Sequence, residues 1–274
     1  MKIVNLIENT CRRNDLSFEH GLCFYIETPN HRLLADTGAD SGFLDNALKL
    51  GVDLKSVDMV FLSHGHYDHC GGVMAFAEIN PNAVIYISDK AFDDYWIVGN
   101  GGKKYIGINP KIKELPQIKT VSGNLQIDNE LFIFNSVKNR ELLPFTNSEL
   151  KVKTADGYAE DDFSHEQYLE ITADSQRVLL SGCAHKGIVN IMAEYKSLRK
   201  AEPDAVISGF HTMNSNGYSA DEKNIIEQVG RKLQNYSTKF YTCHCTGEEP
   251  FDILKNIMGK QIEYIGTGDI VCLR

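Results

Sequence analysis

Three imidazoles and one carboxylate fall within the run His64-Gly65-His66-Tyr67-Asp68-His69. Such a cluster would disrupt a core and gain little as a solvated face. Imidazole nitrogens and carboxylate oxygens are instead the donor set that zinc takes, with manganese and iron(II) as further choices. The run follows the apolar stretch Met59-Val60-Phe61-Leu62, so it is expected in a loop at the end of a buried strand. Gly65 is expected to permit an unusual backbone turn between two ligands, and Gly71-Gly72 to let the next helix start close behind the last one. His185, His211 and His244 also follow strand-like segments. Cys243-His244-Cys245 suggests a thiolate zinc site, but the usual pair spacing of structural zinc sites is absent, so the histidine carries the expectation there.

The elements that must position these groups alternate along the chain. Strand-like runs are expected at Lys2–Glu8, Leu22–Thr28, Arg32–Asp36, Met59–Leu62, Ala83–Ser88, Ile118–Val121 and Leu131–Asn135. In the second half they fall at Tyr168–Thr172, Arg177–Ser181, Ala205–Ser208, Lys239–Thr242, Ile262–Ile265 and Ile270–Leu273. Helical spacing predicts helices over Gly42–Leu50, Gly71–Ile79, Gly187–Leu198 and Phe251–Met258. Another follows the capping box Ser219-Ala220-Asp221-Glu222 and runs to about Gln234. Two β-rich halves with interspersed helices imply packed sheets covered outside by helices. Residues 89–116 break the rhythm: Tyr95, Trp96 and Tyr105 surround Gly99-Asn100-Gly101-Gly102, which reads as a lid or an oligomer contact. Residues 137–165 read as a second long polar connection. The whole chain, 1–274, is expected to form a single domain carrying the 89–116 insertion.

The 274 residues are 42% hydrophobic with a formal net charge of −9. An acidic surface repels phosphate backbones, so no nucleic-acid partner is expected. A small anionic substrate stays open, because two dications invert the local field. Asn5 and Glu8 interrupt the first apolar run, so no signal peptide is expected, and no run is long enough for a membrane span. Seven cysteines without a disulfide-type spacing favour a reducing, cytoplasmic setting. A homo-oligomer is left open.

The sequence resembles the metallo-β-lactamase superfamily, whose His-x-His-x-Asp-His hallmark matches at His64, His66, Asp68 and His69. Asp36, in Leu33-Leu34-Ala35-Asp36-Thr37-Gly38, matches the aspartate that family members use to orient a ligand histidine. More narrowly the chain looks like the dihydropterin-synthase-like branch. Glu19-His20-Gly21-Leu22, Ser181-Gly182-Cys183-Ala184-His185, Gly209-Phe210-His211 and His244-Cys245-Thr246-Gly247 carry that likeness. The resemblance implies an α+β fold, the four-layer αββα metallo-β-lactamase sandwich, with metals at one edge. It implies two divalent ions, one on His64, His66 and His185 and one on Asp68, His69 and His244. Most relatives place a bridging aspartate where this chain has Cys183, which leaves two readings, a thiolate ligand or a packed small residue. His165 is an alternative ligand. His211 is expected to hydrogen-bond substrate, His20 and Glu19 to lie near the pocket, and His31 to be a turn residue.

Such a site suits hydrolysis of a phosphate ester, a carboxylic ester or a lactone by an activated water, with Asp68 and His211 as the catalytic residues. Two alternatives remain. One is a metal-dependent synthase joining a dihydropterin to a phosphoribosyl-aminobenzene-type substrate. The other is a non-catalytic metal-dependent binding or sensing protein. Flavodiiron relatives have glutamate where this chain has His66, and a flavodoxin domain that the chain is expected to lack.

Overall fold

The computed structural model describes residues 1–99 and 101–273. Among them, two seven-stranded sheets face each other. The first runs, in spatial order, Ile270–Cys272, Lys2–Ile7, Cys23–Glu27, Arg32–Ala35, Met59–Phe61, Val84–Ser88 and Ile118–Val121. Its first four strands are antiparallel neighbours and the rest join in parallel. The second runs Ile262–Tyr264, Lys239–Thr242, Ala205–Ser208, Gln176–Leu180, Tyr168–Ala173, Leu131–Phe134 and Leu125–Gln126, parallel as far as Gln176–Leu180 and antiparallel beyond. Parallel strands are buried on both faces, which is why Met59–Phe61 and Ala205–Ser208 are unbroken small or apolar runs rather than alternating ones.

Three apolar layers follow from that pattern. Phe24, Ile26, Leu33 and Phe61 meet Ile133, Leu169, Ile171, Leu180 and Ile207 between the sheets. Behind the first sheet, Leu34, Val60 and Ile85 pack on Phe43 and Ala47 of the helix Gly42–Lys49 and on Val73 and Phe76 of the helix Val73–Ile79. Behind the second, Leu179, Val206 and Phe240 pack on the helices Ile188–Arg199, Ala220–Leu233 and Glu248–Met258. This is the expected αββα sandwich. No helix among the described residues is long and apolar enough to cross a membrane.

Two segments differ from the sequence reading. Residues 89–116 are not an open loop: Tyr95–Gly99 pairs with Gly102–Tyr105, and Leu150–Thr154 with its partner Gly157–Glu160 completes a third, four-stranded sheet. Polar lysines and glycines on the exposed face hid these strands from a search for apolar periodicity. Asn100 lies outside the described residues. The last helix starts at Glu248 rather than Phe251, because proline is tolerated in a first helical turn and so Pro250 does not mark a boundary.

Ser219 caps the helix Ala220–Leu233 with a complete capping box, its side chain accepting from the Glu222 N–H. Ser219→Ala should lower stability to urea by about 1 kcal/mol and leave metal content unchanged. An unaltered unfolding midpoint would show the cap to be dispensable.

Candidate metal centre

The candidate ligands sit in loops after the carboxyl ends of strands. Asp36 follows Arg32–Ala35, His64 follows Met59–Phe61, and Cys183 and His185 follow Gln176–Leu180. His211 follows Ala205–Ser208 and His244 follows Lys239–Thr242. Five non-glycine residues there take left-handed backbone: Asp36 (φ 60°), Phe163 (54°), Ala184 (56°), His211 (48°) and His244 (50°). That conformation costs on the order of 1–2 kcal/mol for a residue with a Cβ, so surrounding bonds must hold it.

Four imidazoles are anchored alike. His69 Nδ1 donates to Asp36 Oδ2 (2.6 Å). Ser63 Oγ donates to the same oxygen (2.7 Å) and therefore accepts from His64 Nδ1 (2.9 Å). His185 Nδ1 donates to Asn147 Oδ1 (3.2 Å), and His244 Nδ1 to Asn9 Oδ1 (2.6 Å). With every Nδ1 spent as a donor, each Nε2 is the nitrogen left for a ligand bond. These nitrogens converge. His185 Nε2 is 3.3 Å from His64 Nε2, and His69 Nε2 is 3.1 Å from Cys183 Sγ. His64, Cys183 and His185 form one group of donor atoms within 4.8 Å of one another, and His69, Cys183 and His244 form a second. Cys183 is common to both, and it also joins His211 and Cys245 in a third group.

The donor set fits a cation. His66 Nε2, His244 Nε2 and both ring nitrogens of His211 are buried with no hydrogen-bond partner among the described residues. Orphaned buried nitrogens are costly unless something binds them. Burial and the neighbouring imidazoles hold His64 and His185 well below the usual histidine range, and burial followed by His165 pushes His66 down to about 3. These rings are neutral at pH 7, as a ligand must be. His69 differs. Burial disfavours its charge, but the Asp36 and Asp68 carboxylates outweigh that and hold it up at about 9. Burial also pushes the Cys183 thiol up.

Asp68, in the first turn of the short helix Tyr67–Cys70, places Oδ2 3.4 Å from His244 Nε2, 3.6 Å from His69 Nε2 and 3.4 Å from His20 Nε2. His66 holds the N-cap position of that helix without a side-chain bond to it. A cleft of about 170 Å³ opens over the group, lined among others by His20, Tyr67, Ile97, Lys104, Leu150 and His211.

The profile of the metallo-beta-lactamase superfamily matches residues 16–211. The chain belongs to that superfamily. It is 27% identical over 300 residues to a protein of Methanocaldococcus jannaschii named 7,8-dihydropterin-6-methyl-4-(beta-D-ribofuranosyl)-aminobenzene-5'-phosphate synthase, covering 99% of this chain and 96% of that one. An uncharacterized protein of the same organism is 26% identical over 268 residues, covering 95% and 96%. Among solved structures, Tm1679, a metal-dependent hydrolase of the beta-lactamase superfamily, superposes with a TM-score of 0.84 at 27% identity, over 100% of this chain and 99% of that one.

Within this metallo-beta-lactamase fold, several expected residues take other places. Gly65 has no left-handed backbone; it is needed because a Cβ there would lie 2.4 Å from the Ala91 carbonyl oxygen. Gly71 does allow a close approach, since a Cβ would stand 1.9 Å from the Ala39 oxygen. Both nitrogens of His165 are already bonded, Nδ1 to the Gly65 N–H (2.9 Å) and Nε2 to Asp161 Oδ2 (3.2 Å), so as arranged it offers no lone pair to a metal. His66 shares a 4.8 Å group with Asp161 and His165, not with His64. His20 lines the cleft, but the Glu19 carboxylate turns to the Ala39 N–H (2.8 Å). His31 ties Asp58 (3.1 Å) to Asp128 (2.8 Å), away from the centre. Trp96 faces away from the cleft, against Tyr105 and Tyr158, because alternate residues of a strand point oppositely; Tyr95 and Ile97 face inward.

Residues missed in the sequence are those that hold the ligands. Asn9 and Asn147 orient His244 and His185. Glu166, fully buried, accepts from the His185 N–H (2.6 Å), the Lys186 N–H (3.0 Å) and the Tyr168 hydroxyl (2.6 Å). Gln167 bonds the Ser63 and Leu62 carbonyls, both at 2.8 Å. A lone Asn or Glu in a polar stretch carries no signal by itself, since the usual place for either is the surface.

A cation entering this centre must displace the proton of His69 and the thiol proton of Cys183. Proton release means that affinity rises with pH as His69 deprotonates near 9, and goes on rising above that because the Cys183 thiol still has its proton to give up. Calorimetric zinc titrations at pH 7, in buffers of differing ionisation enthalpy, should report protons released per ion bound. Uptake with none released would contradict the protonation states assigned here.

Proposed function

We propose that this protein is a dinuclear metal-dependent hydrolase, holding two zinc ions and acting on a small anionic ester or lactone. The observation that carries the reading is Cys183, whose sulfur belongs to both donor groups and can bridge them as a thiolate. His64, His185 and His66 would hold one ion, and His69, His244 and Asp68 the other. Two ions there supply an activated water and a counter-charge for a developing oxyanion.

The chain's own residues supply the rest. Asp68, its Oδ2 close to His20, His69 and His244, would orient the attacking water. His211, its ring centroid 4.1 Å from that of His185, offers an unpaired ring nitrogen to a substrate oxygen. Ile97, Ile106 and Leu150 give the cleft an apolar wall that limits water. Lys104, bonded to the Tyr67 hydroxyl (3.1 Å), lines the same cleft and presents a positive charge to an anionic substrate group.

A second reading has a specific basis. The synthase of M. jannaschii and the hydrolase Tm1679 are each 27% identical to this chain over nearly its whole length, so similarity alone does not choose between joining and cleaving. A panel of phosphomonoester, phosphodiester, ester and lactone substrates decides. Cleavage abolished by chelation and restored by zinc supports the hydrolase. Failure on all of them, with condensation of a dihydropterin and a phosphoribosyl-aminobenzene, would favour the synthase.

His66→Ala should abolish metal-dependent turnover while leaving the melting temperature of the metal-free protein nearly unchanged, because the ring lies on an edge loop and not in the sheet core. Wild-type protein should carry about two metal equivalents by elemental analysis. Collapse of the metal-free variant would mark the site as structural.

Lys104→Ala should raise KM for an anionic substrate and spare that for a neutral one. Trp96→Ala should leave both unchanged, since that ring packs on the outer face. Steady-state kinetics would check this, and a raised KM in Trp96→Ala alone would reverse the assignment of faces.

A further inference from the structure

His66 stands apart from the other candidate ligands. It is 4% exposed, lines the cleft, and has no hydrogen bond on Nε2, its buried nitrogen. His64, His69, His185 and His244 each have a partner that fixes the ring, whereas His66 has none in the arrangement described. Asp161 and His165 each offer a ligand-type atom within 4.8 Å of one on His66, and the His66 and His165 ring centroids are 5.1 Å apart.

Those two residues are closely determined. The Gly65 N–H can only donate, so His165 Nδ1 is an acceptor and Nε2 carries the proton, which it gives to Asp161 Oδ2. The other Asp161 oxygen accepts from the Phe163 N–H (2.7 Å), which fixes the carboxylate plane. The His165 ring lies against Tyr95, centroids 4.0 Å apart at 32°, and Tyr95 is held by its hydroxyl on the Lys90 carbonyl (2.6 Å). On its other side Gly65 meets the Ala91 backbone. The peptide between His64 and His66 is thus clamped from both sides. Asp161 and His165 are buried, and neither belongs to any of the donor groups that contain Cys183.

We propose that Asp161 and His165 are a buried positioning pair for the second histidine of the motif. His165 locks the Gly65 amide, and the Asp161 carboxylate receives the Nε2–H of His66, which turns Nδ1 of His66 to the metal. The pair thereby acts on the ion shared by His64 and His185, and not on the ion at His69 and His244. This inference rests on the two-ion reading above but not on hydrolysis. Asp161→Asn disrupts the pair through hydrogen-bond polarity. An amide that still accepts from the Phe163 N–H turns its NH2 toward the His165 N–H, and the flipped amide loses the Phe163 bond.

The test is zinc affinity by chelator competition on the full chain, with nitrogen-15 NMR of the histidine side chains. In zinc-loaded wild type, His66 should show metal on Nδ1 and a protected proton on Nε2. In Asp161→Asn, one of the two zinc equivalents should bind about ten- to a hundredfold more weakly, the other should be unchanged, and the protected proton should be lost. The metal-free melting temperature controls for folding. His165→Gln, which can still accept from the Gly65 N–H, should give a smaller loss at the same single site and serves if the first variant does not fold. Unchanged affinities, or equal weakening of both ions, would overturn the proposal. A wild-type protein that takes up no zinc would instead overturn the two-ion reading on which it stands.

Discussion

The Asp36 carboxylate fixes imidazoles of both donor groups. It lies at the end of the strand Arg32–Ala35, 2% exposed, where an unpaired anion would be very costly. It accepts from the Ser63 N–H (2.7 Å), the Ser63 hydroxyl and His69 Nδ1. Through the hydroxyl it sets the tautomer of His64, and directly it sets that of His69. His64 and His69 fall one in each of the two clusters that pair Cys183 with two histidines. The two clusters therefore have a common reference, and a shift of the strand Arg32–Ala35 would move both. The left-handed backbone of Asp36 is what lets the side chain turn back toward Ser63 while the chain continues to Thr37.

The second sheet answers with a bracket of its own. Asp161 through Tyr168 run beside Leu62–Gly65 and reach over to His185. The contacts are Asp161 to His165, His165 to Gly65, Gln167 to Leu62 and Ser63, and Glu166 to His185 and Lys186. Glu166 also offsets the strained geometry before it, since Ala184 is left-handed and the next two amides both need acceptors. The sheets meet face to face through apolar side chains, a non-directional contact. The polar bracket adds direction, which a two-part ligand set requires.

Legibility in the sequence followed the physics of each signal. Strands buried on both faces, such as Met59–Phe61 and Ala205–Ser208, are unbroken in residue type and were placed to within a residue. The Ser219 capping box is a local pattern, legible in four consecutive residues. The His64–His69 run stood out because so many imidazoles have no bland explanation. The groups that hold the ligands did not stand out. Asn9, Asn147 and Glu166 are ordinary surface types whose burial is decided by segments far away in sequence. The third sheet escaped for a related reason. Its inner face carries Tyr95, Ile97, Leu150 and Val152, while its outer face mixes Trp96, Tyr105 and Tyr158 with Lys103, Lys151 and Lys153. Chance alternation in four-residue strands is too short to distinguish from a polar loop.

That third sheet alters how the cleft is bounded. A loop of glycines over the ligands would close by ordering on a substrate, at an entropic cost for each residue fixed. A paired sheet is ordered beforehand, with Trp96 opposite Tyr105 and Lys151 across the strands and Ile97 opposite Lys104 and Leu150. Its inner face brings Ile97 and Leu150 beside His66, His185 and His211, so part of the wall facing the ligands is apolar and fixed. Water excluded by such a wall screens the charges within less, whereas an exposed cation at the rim stays screened by solvent and acts only at short range. Lys104 is that cation on the inner face, while Lys103, one residue earlier on the strand, points outward over Tyr158. The alternation of one strand thus separates a lysine that can meet a substrate from one that meets only solvent and an aromatic ring, although the two are adjacent and identical in type.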